Sequence, residues 1–150
     1  MHRSAWLQVV IEAASAGIDV AAHDKQGLLE AARLAWQASV SHKASKHTSY
    51  CARDIVNTVI GLGLQYIEED TSTGYAIDVS LPQLKIAIEA DGPTHRCRNT
   101  GQPLGGTVMK QRHVQAAGWQ LVTVTHDDWQ KLQGRPQKLQ YLQARLDQFK

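Results

Sequence analysis

The chain has 150 residues, of which 43% are hydrophobic, and its formal net charge is +2 at pH 7. This length allows one well-buried core and favours a single main domain. No apolar run approaches the roughly 20 residues of a membrane span, and Glu12 and Asp19 interrupt the first apolar stretch too early for a secretory signal. Cys51 and Cys97 form neither a CxxC pair nor a disulfide framework, which favours a reducing compartment.

Two amphipathic helices are predicted before residue 40. The first has an apolar face that includes Trp6 and Val10, and the second fits residues 25–39 with Leu28 and Trp36 on its apolar stripe. A basic linker follows over residues 41–48. Two short helices cannot form a core alone, so we interpret residues 1–48 as a segment that packs on the rest of the chain or on a partner.

From residue 49 the predicted order is α-β-β-β-α-β, followed by C-terminal helices. Ser49 is a candidate N-cap for a helix that Gly61 and Gly63 end. The inward positions of this helix are Ile55, Val56, Val59 and Ile60. A short first strand is predicted at 65–67, followed by an acidic turn through residues 68–74.

Alternating residues predict a hairpin of two strands, over 75–80 and 85–91, joined by the turn 81–84. Tyr75, Ile77 and Val79 share one predicted face of the first strand. A helix is then predicted over 108–117, capped by Thr107 and ended by Gly118, before a strand at 121–124. A short helical turn near Trp129 and a last helix complete the chain. The buried stripe of that helix is Leu139, Leu142, Leu146 and Phe149.

Three carboxylates lie inside this predicted hairpin. The period of two places Glu89 and Asp91 on one face, and antiparallel pairing can bring Asp78 beside them. Oxygen ligands of this kind suit a hard cation such as Mg²⁺ or Mn²⁺. The alternative is that each acid is simply solvated on an open sheet face, and the sequence Asp91-Gly92-Pro93 also suits a turn.

An acid-free stretch from residue 92 to residue 126 follows the carboxylates directly. Its basic residues are Arg96, Arg98, Lys110 and Arg112, with His95, His113 and His126 able to become charged. Basic side chains that bind a phosphate backbone, next to acidic side chains that bind a metal ion, suit a phosphodiester partner. The alternative is that these residues form an ordinary soluble surface.

Lys110 falls in the middle of the face of its helix that should pack on the sheet, between Val114 and Ala117. Its ammonium either snorkels to solvent or meets an opposite charge. We predict the second arrangement, with the ammonium within ~6 Å of the carboxylate of Asp78, Glu89 or Asp91, or one water away, because an unpaired buried ammonium loses hydration. Lys110 in solvent with Arg112 turned inward would show that the helix phase is wrong.

The element order, with Asp78 on the second strand and Glu89-Ala90-Asp91 on the third, resembles the PD-(D/E)xK nuclease fold. That resemblance implies an α/β (α+β) fold with an αβββαβ core, a mixed sheet flanked by helices, and extra N-terminal and C-terminal helices. Residues 64–147 resemble a RAP domain, an RNA-binding domain abundant in apicomplexans and present in organellar proteins such as the FAST-kinase-domain proteins. The motifs that carry this resemblance are residues 88–95, Asn99, 106–107, Lys110, Arg112, 118–122, Trp129 and 138–142.

This resemblance predicts a RAP-type domain over 49–150 that acts in RNA processing, RNA stability or ribosomal RNA handling, in the mitochondrial matrix or the chloroplast stroma. No transit peptide is visible, and residues 1–40 would be the end of a helical-repeat region or a protein-docking segment. An endoribonuclease would hold Mg²⁺ or Mn²⁺ with Asp78, Glu89 and Asp91, and Lys110 and His95 would complete the catalytic set. The predicted RNA contacts are Arg96, Arg98, Lys110, Arg112 and His113.

One departure from the nuclease pattern bears on catalysis. The position of the motif lysine is Asp91, so Lys110 would have to supply that cation. Lys85 is the rival, although it lies six residues earlier, about 20 Å along an extended strand. The alternative function is a non-catalytic scaffold without metal, which binds RNA or protein in an organellar ribosome or RNA-processing complex.

Overall fold

The computed structural model describes residues 49–92, 100–102 and 104–149, together with residues 12–13, 16–19, 22, 27, 30–31 and 34–38. The predicted N-terminal helices and the linker fall largely outside the described residues, so the division at residue 48 stays a prediction. None of the helices in the described part of the chain is long and apolar enough to cross a membrane.

Four helices and four strands make up the part from residue 49 onward that the structure describes. In chain order they are α1 (Tyr50–Gly61), β1 (Ile67–Asp70), β2 (Ile77–Leu81), β3 (Ile86–Asp91), α2 (Gly105–Ala116), β4 (Gln120–Thr125), α3 (His126–Lys131) and α4 (Gly134–Asp147). The sheet order is β1-β2-β3-β4, antiparallel except for the parallel pair β3–β4. Since parallel neighbours need a crossover, α2 connects them. The predicted mixed sheet flanked by helices is confirmed.

Both faces of the sheet are covered, but by different helices. On one face α1 and α4 bury their apolar stripes, including Ile55 and Leu142, against Ile88 of β3. On the other face α2 contributes Val114, which packs with Ala87 and Trp119. Strand β3 therefore alternates as predicted, with its even-numbered residues toward α1 and its odd-numbered residues toward α2.

The first helix begins as predicted, since the Ser49 hydroxyl accepts a hydrogen bond from the Ala52 amide at 3.1 Å. Three of its four predicted inward residues are buried, but Ile60 is 50% exposed. At 100° per residue Ile60 lies about 100° from the centre of the buried face, beyond its edge. Phe149 is likewise exposed, because α4 ends before it.

Two boundaries differ from prediction for backbone reasons. Strand β1 starts at Ile67, and residues 68–70, expected in a turn, belong to it because antiparallel pairing with β2 takes up their backbone groups. Helix α2 starts at Gly105, and Thr107 is not its cap. The amide of Val108 already donates to the Leu104 carbonyl, so the helix is under way three residues earlier than expected.

Candidate carboxylate–lysine site

Strands β2 and β3 part at Asp78. The last residue pair of their ladder is Val79 with Ile88, and β3 then continues beside β4 as far as Asp91. The Asp78 Oδ2 accepts a hydrogen bond from the Ala90 amide at 2.7 Å. The Asp78 carboxylate thus takes the place of a backbone carbonyl of β2. It accepts the hydrogen bond of a β3 amide at the point where β2 separates from β3.

The alternation predicted for β2 is wrong at the same point. Ile77 packs with Ala87 on the α2 face, whereas Val79 packs with Ile88 on the α1 face. Opposite Asp78, on β1, Glu69 has a φ of 47°, in the left-handed region that non-glycine residues seldom adopt. We attribute the change of face to this local distortion, which leaves Asp78 between the two faces of the sheet.

The predicted contact of Lys110 is confirmed. Its Nζ lies 2.6 Å from Glu89 Oε2, and it also donates to the Ala76 carbonyl. The two side chains are only 23% and 15% exposed, so the ion pair is largely shielded from water. Arg112, on the other side of α2, is 67% exposed and lies 3.5 Å from Glu12, which confirms the predicted phase of the helix.

Glu89 has an unusual protonation equilibrium. Burial raises its pKa to about 7, Lys110 lowers the value and the nearby Asp78 and Glu69 raise it. Its second oxygen, Oε1, is buried and has no hydrogen-bond partner among the described residues. At neutral pH the site therefore holds one lysine and a carboxyl group that is ionised in only part of the molecules.

The residues do not fit the three-carboxylate metal site that the sequence predicts. Within the ranges that the structure describes, no three His, Cys, Asp or Glu side chains are grouped to hold a metal ion. The Asp78 carboxylate is engaged with the Ala90 amide, and the Glu89 carboxylate with Lys110. Asp91 is buried on the stretch of β3 that pairs with β4. A divalent cation at this site stays a prediction.

His113 lies inside the protein, which corrects its expected role as a direct RNA contact. The residue is 7% exposed, and its Nδ1 is 2.7 Å from the Tyr75 hydroxyl. Burial lowers the pKa of His113 and so favours the neutral ring over a cation that could hold a phosphate. Trp36 packs on Tyr75, with the two rings edge-on at 5.5 Å, and its indole N–H donates to the Gly74 carbonyl.

Three of the predicted site residues, His95, Arg96 and Arg98, lie outside the described residues and their roles stay predictions. The sequence reasoning also missed Asp54 on α1. The Oδ2 of Asp54 accepts from Trp129 Nε1 at 2.8 Å and from Lys138 Nζ at 2.5 Å. Asp54 and Lys138 are 84 positions apart, and no sequence pattern relates residues at that separation.

Cys51 is a buried residue on the first turn of α1, and the charges of both Asp54 and Asp78 act on its thiol. The pKa of its thiol is raised to about 11, first by burial and then by the charges of Asp54 and Asp78, while Lys138 lowers it. Asp78 therefore acts electrostatically on both faces of the sheet, toward Cys51 on the α1 side and toward Glu89 on the α2 side. The high pKa keeps this thiol protonated and unreactive.

The mixed sheet, with carboxylates where β2 and β3 part and a lysine facing them, has the PD-(D/E)xK nuclease-like fold. The catalytic domain of the homing endonuclease I-Bth0305I shares it, with a TM-score of 0.52 at 15% identity, over 68% of this chain and 98% of that domain. Residues 88–145 match the model of the RAP domain family.

Two curated proteins are similar to parts of this chain. The chain is 40% identical over 101 residues to a chloroplastic RAP domain-containing protein of Oryza sativa subsp. japonica. It is 37% identical over 62 residues to the mitochondrial FAST kinase domain-containing protein 3 of Homo sapiens. These matches span 67% and 41% of this chain, but only 16% and 9% of the two relatives.

Proposed function

We propose that this protein binds RNA and acts on transcripts or ribosomal RNA in an organelle, as a non-catalytic scaffold. The observation that carries the proposal is the match of residues 88–145 to the RAP domain model, since a resemblance to RAP domains implies RNA binding. Relatives described as chloroplastic and mitochondrial support an organellar location. The exposed Arg112, in a stretch of chain without acids, supports contact with a phosphate backbone.

The competing hypothesis is a metal-dependent endoribonuclease. The nuclease-like fold supports it, and so does a lysine placed against Glu89. The engagement of Asp78 with the Ala90 amide and the lack of a three-ligand group among the described residues favour the scaffold instead. Since unrelated functions share one fold, the fold alone does not decide between the two.

Arg112→Ala is expected to weaken RNA binding several-fold and to reduce the slope of log K against log salt by about 0.7–1. The reason is that one phosphate contact is lost, whatever the RNA sequence. Fluorescence anisotropy with a labelled single-stranded RNA, at a series of KCl concentrations, measures both quantities. Arg135→Ala is the matched control, since Arg135 is also exposed but lies against Gly61 at the far end of α1. Equal losses in both variants would contradict a specific contact by Arg112.

Incubation of the protein with structured and single-stranded RNA is expected to show binding without cleavage, in Mn²⁺ as well as in EDTA. Asp78→Asn and Glu89→Gln serve as site variants, and gel electrophoresis of end-labelled RNA detects any product. Cleavage that requires Mn²⁺ and disappears in both variants would establish the endoribonuclease and overturn the scaffold. Cleavage that survives EDTA and both substitutions would indicate a contaminating nuclease, and the preparation would be repurified and retested.

A further inference from the structure

The Lys110 ammonium lies beside the Glu89 carboxylate, near the point where β2 and β3 separate. Lys110 Nζ lies 2.6 Å from Glu89 Oε2 and donates a second hydrogen bond to the Ala76 carbonyl, at the approach to β2. Val114, one turn further along α2, is buried in the core, so the helix that carries the lysine is held against the sheet. The ammonium therefore has a defined position, which a surface lysine does not.

We propose that the Lys110 ammonium replaces a divalent cation at this site, so that the charge of Glu89 is balanced and the protein binds RNA without metal. The inference rests on the RNA binding proposed above and deepens it. A metal ion bound to Glu89 would have to share that carboxylate with a fixed positive charge only 2.6 Å from it, and the two cations would repel each other. Lys110 thus blocks the metal by charge as well as by occupying space.

Asp78 adds a second obstacle to metal binding. Its Oδ2 accepts from the Ala90 amide at 2.7 Å, where the β2–β3 ladder has ended. A cation that drew this carboxylate toward Glu89 would leave a β3 amide without an acceptor, which a strand interior tolerates poorly. Among the described side chains, Lys110 thus supplies the positive charge that balances Glu89, and Asp78 accepts a hydrogen bond from the backbone.

The same lysine retains capacity for a ligand. An ammonium carries three N–H donors, and Glu89 and Ala76 take two of those of Lys110. The side chain is 23% exposed, so the third N–H has access to a group outside the domain. A phosphodiester oxygen of RNA is the acceptor that matches this charge. In a metal-dependent site, the metal ion would make that contact.

The test is a gain of metal binding. Mn²⁺ binding at pH 8 is measured by electron paramagnetic resonance for the wild type, Lys110→Ala and Lys110→Met. We expect the wild type to show no saturable binding below roughly millimolar Mn²⁺, and Lys110→Ala to bind at least tenfold more tightly because the Glu89 carboxylate is released. Adding Glu89→Gln to Lys110→Ala should abolish the gain. Lys138→Ala, which frees Asp54 from an equally shielded ion pair, is the matched control.

Two outcomes would overturn the proposal: Glu89-dependent Mn²⁺ binding by the wild type at micromolar concentration, or folded Lys110 variants that gain nothing. Circular dichroism establishes whether the variants fold, and the wild-type titration decides the question if they do not. RNA binding by the wild type is measured in parallel in EDTA and in Mg²⁺, and equal affinities are expected. Absence of RNA binding in both would defeat the proposed function, whereas RNA binding that requires Mg²⁺ would defeat only the metal-free site.

Discussion

Lys110→Met is expected to lower the free energy of unfolding by about 3 kcal/mol at pH 8 and by much less at pH 5. Methionine fills similar space but offers Glu89 no opposite charge. Burial raises the pKa of Glu89 to about 7 although Lys110 lowers it, so removing the lysine raises this pKa further. At pH 8 the variant must hold either an unpaired buried carboxylate or a bound proton, and both cost free energy.

The direction with pH follows from the folded and unfolded pKa values of Glu89, about 7 against 4.5. Stability that comes from the proton on Glu89 is fully present below the unfolded value and is lost as the pH rises to the folded value. In the variant the folded value is higher, so the loss continues to a higher pH. Urea unfolding at pH 5 and pH 8 measures the difference in unfolding free energy between the variant and the wild type. Both proteins contain His113, so its titration cancels in this comparison.

A double variant supplies the control for this prediction. Glu89→Gln combined with Lys110→Met removes the charge that the lysine had balanced, so it should recover most of the loss at pH 8 and flatten the dependence on pH. Equal destabilisation by Lys110→Met at both pH values would show that the lysine contributes packing and not charge. Failure of Glu89→Gln to rescue the variant would lead to the same conclusion.

Asp54→Ala is expected to cost about 2–3 kcal/mol of unfolding free energy, because a single carboxylate oxygen holds three helices together. It accepts from Trp129 on α3 at 2.8 Å and from Lys138 on α4 at 2.5 Å. Alanine would leave the indole N–H of a buried tryptophan without an acceptor. It would also leave Lys138, whose side chain is 22% exposed, without its partner. Thermal and urea unfolding at pH 7 measure the loss.

Two variants separate the contributions at Asp54. Asp54→Asn keeps an oxygen that can accept from Trp129 and should cost only about 1 kcal/mol. Lys138→Met keeps the hydrogen bond of Trp129 to Asp54 but removes the ion pair, together with the ammonium that lies over the Trp129 ring at 5.5 Å, and should cost a similar amount. A cost for Asp54→Ala below about 0.5 kcal/mol would mean that water replaces the carboxylate, and the three helices would then be held by apolar packing alone.

Several elements of the fold follow from local sequence patterns. The turn after Leu81 produces the predicted hairpin, in which Leu81 pairs with Ile86. Alternation in β3 correctly separates the residues facing α1 from those facing α2. The 3.6-residue period of α2 correctly places Lys110 toward the sheet and Arg112 toward solvent. These patterns work because they concern neighbours on one element, whose geometry the backbone sets.

Other features of the site depend on residues that the chain brings together from a distance. Alternation places Tyr75, Ile77 and Val79 on one face, but the distortion opposite Asp78 moves Ile77 to the other. The basic character of His113 suggests an RNA contact, but the residue is buried. The partner of its ring is the Tyr75 hydroxyl, which lies 2.7 Å from Nδ1 and 38 positions earlier in the chain, so no pattern along the helix indicates it.

By itself, the sequence determined the nuclease-like order of elements, the faces of β3 and α2, and the meeting of Lys110 with the carboxylate face. Each of these depends on a period of two or 3.6 residues and on the attraction between opposite charges. Only the tertiary structure decided that Asp78 binds the Ala90 amide and that Asp54 joins Trp129 and Lys138. Such hydrogen bonds require atoms to lie within about 3 Å, and periodicity along one element does not encode how separate elements are placed in space.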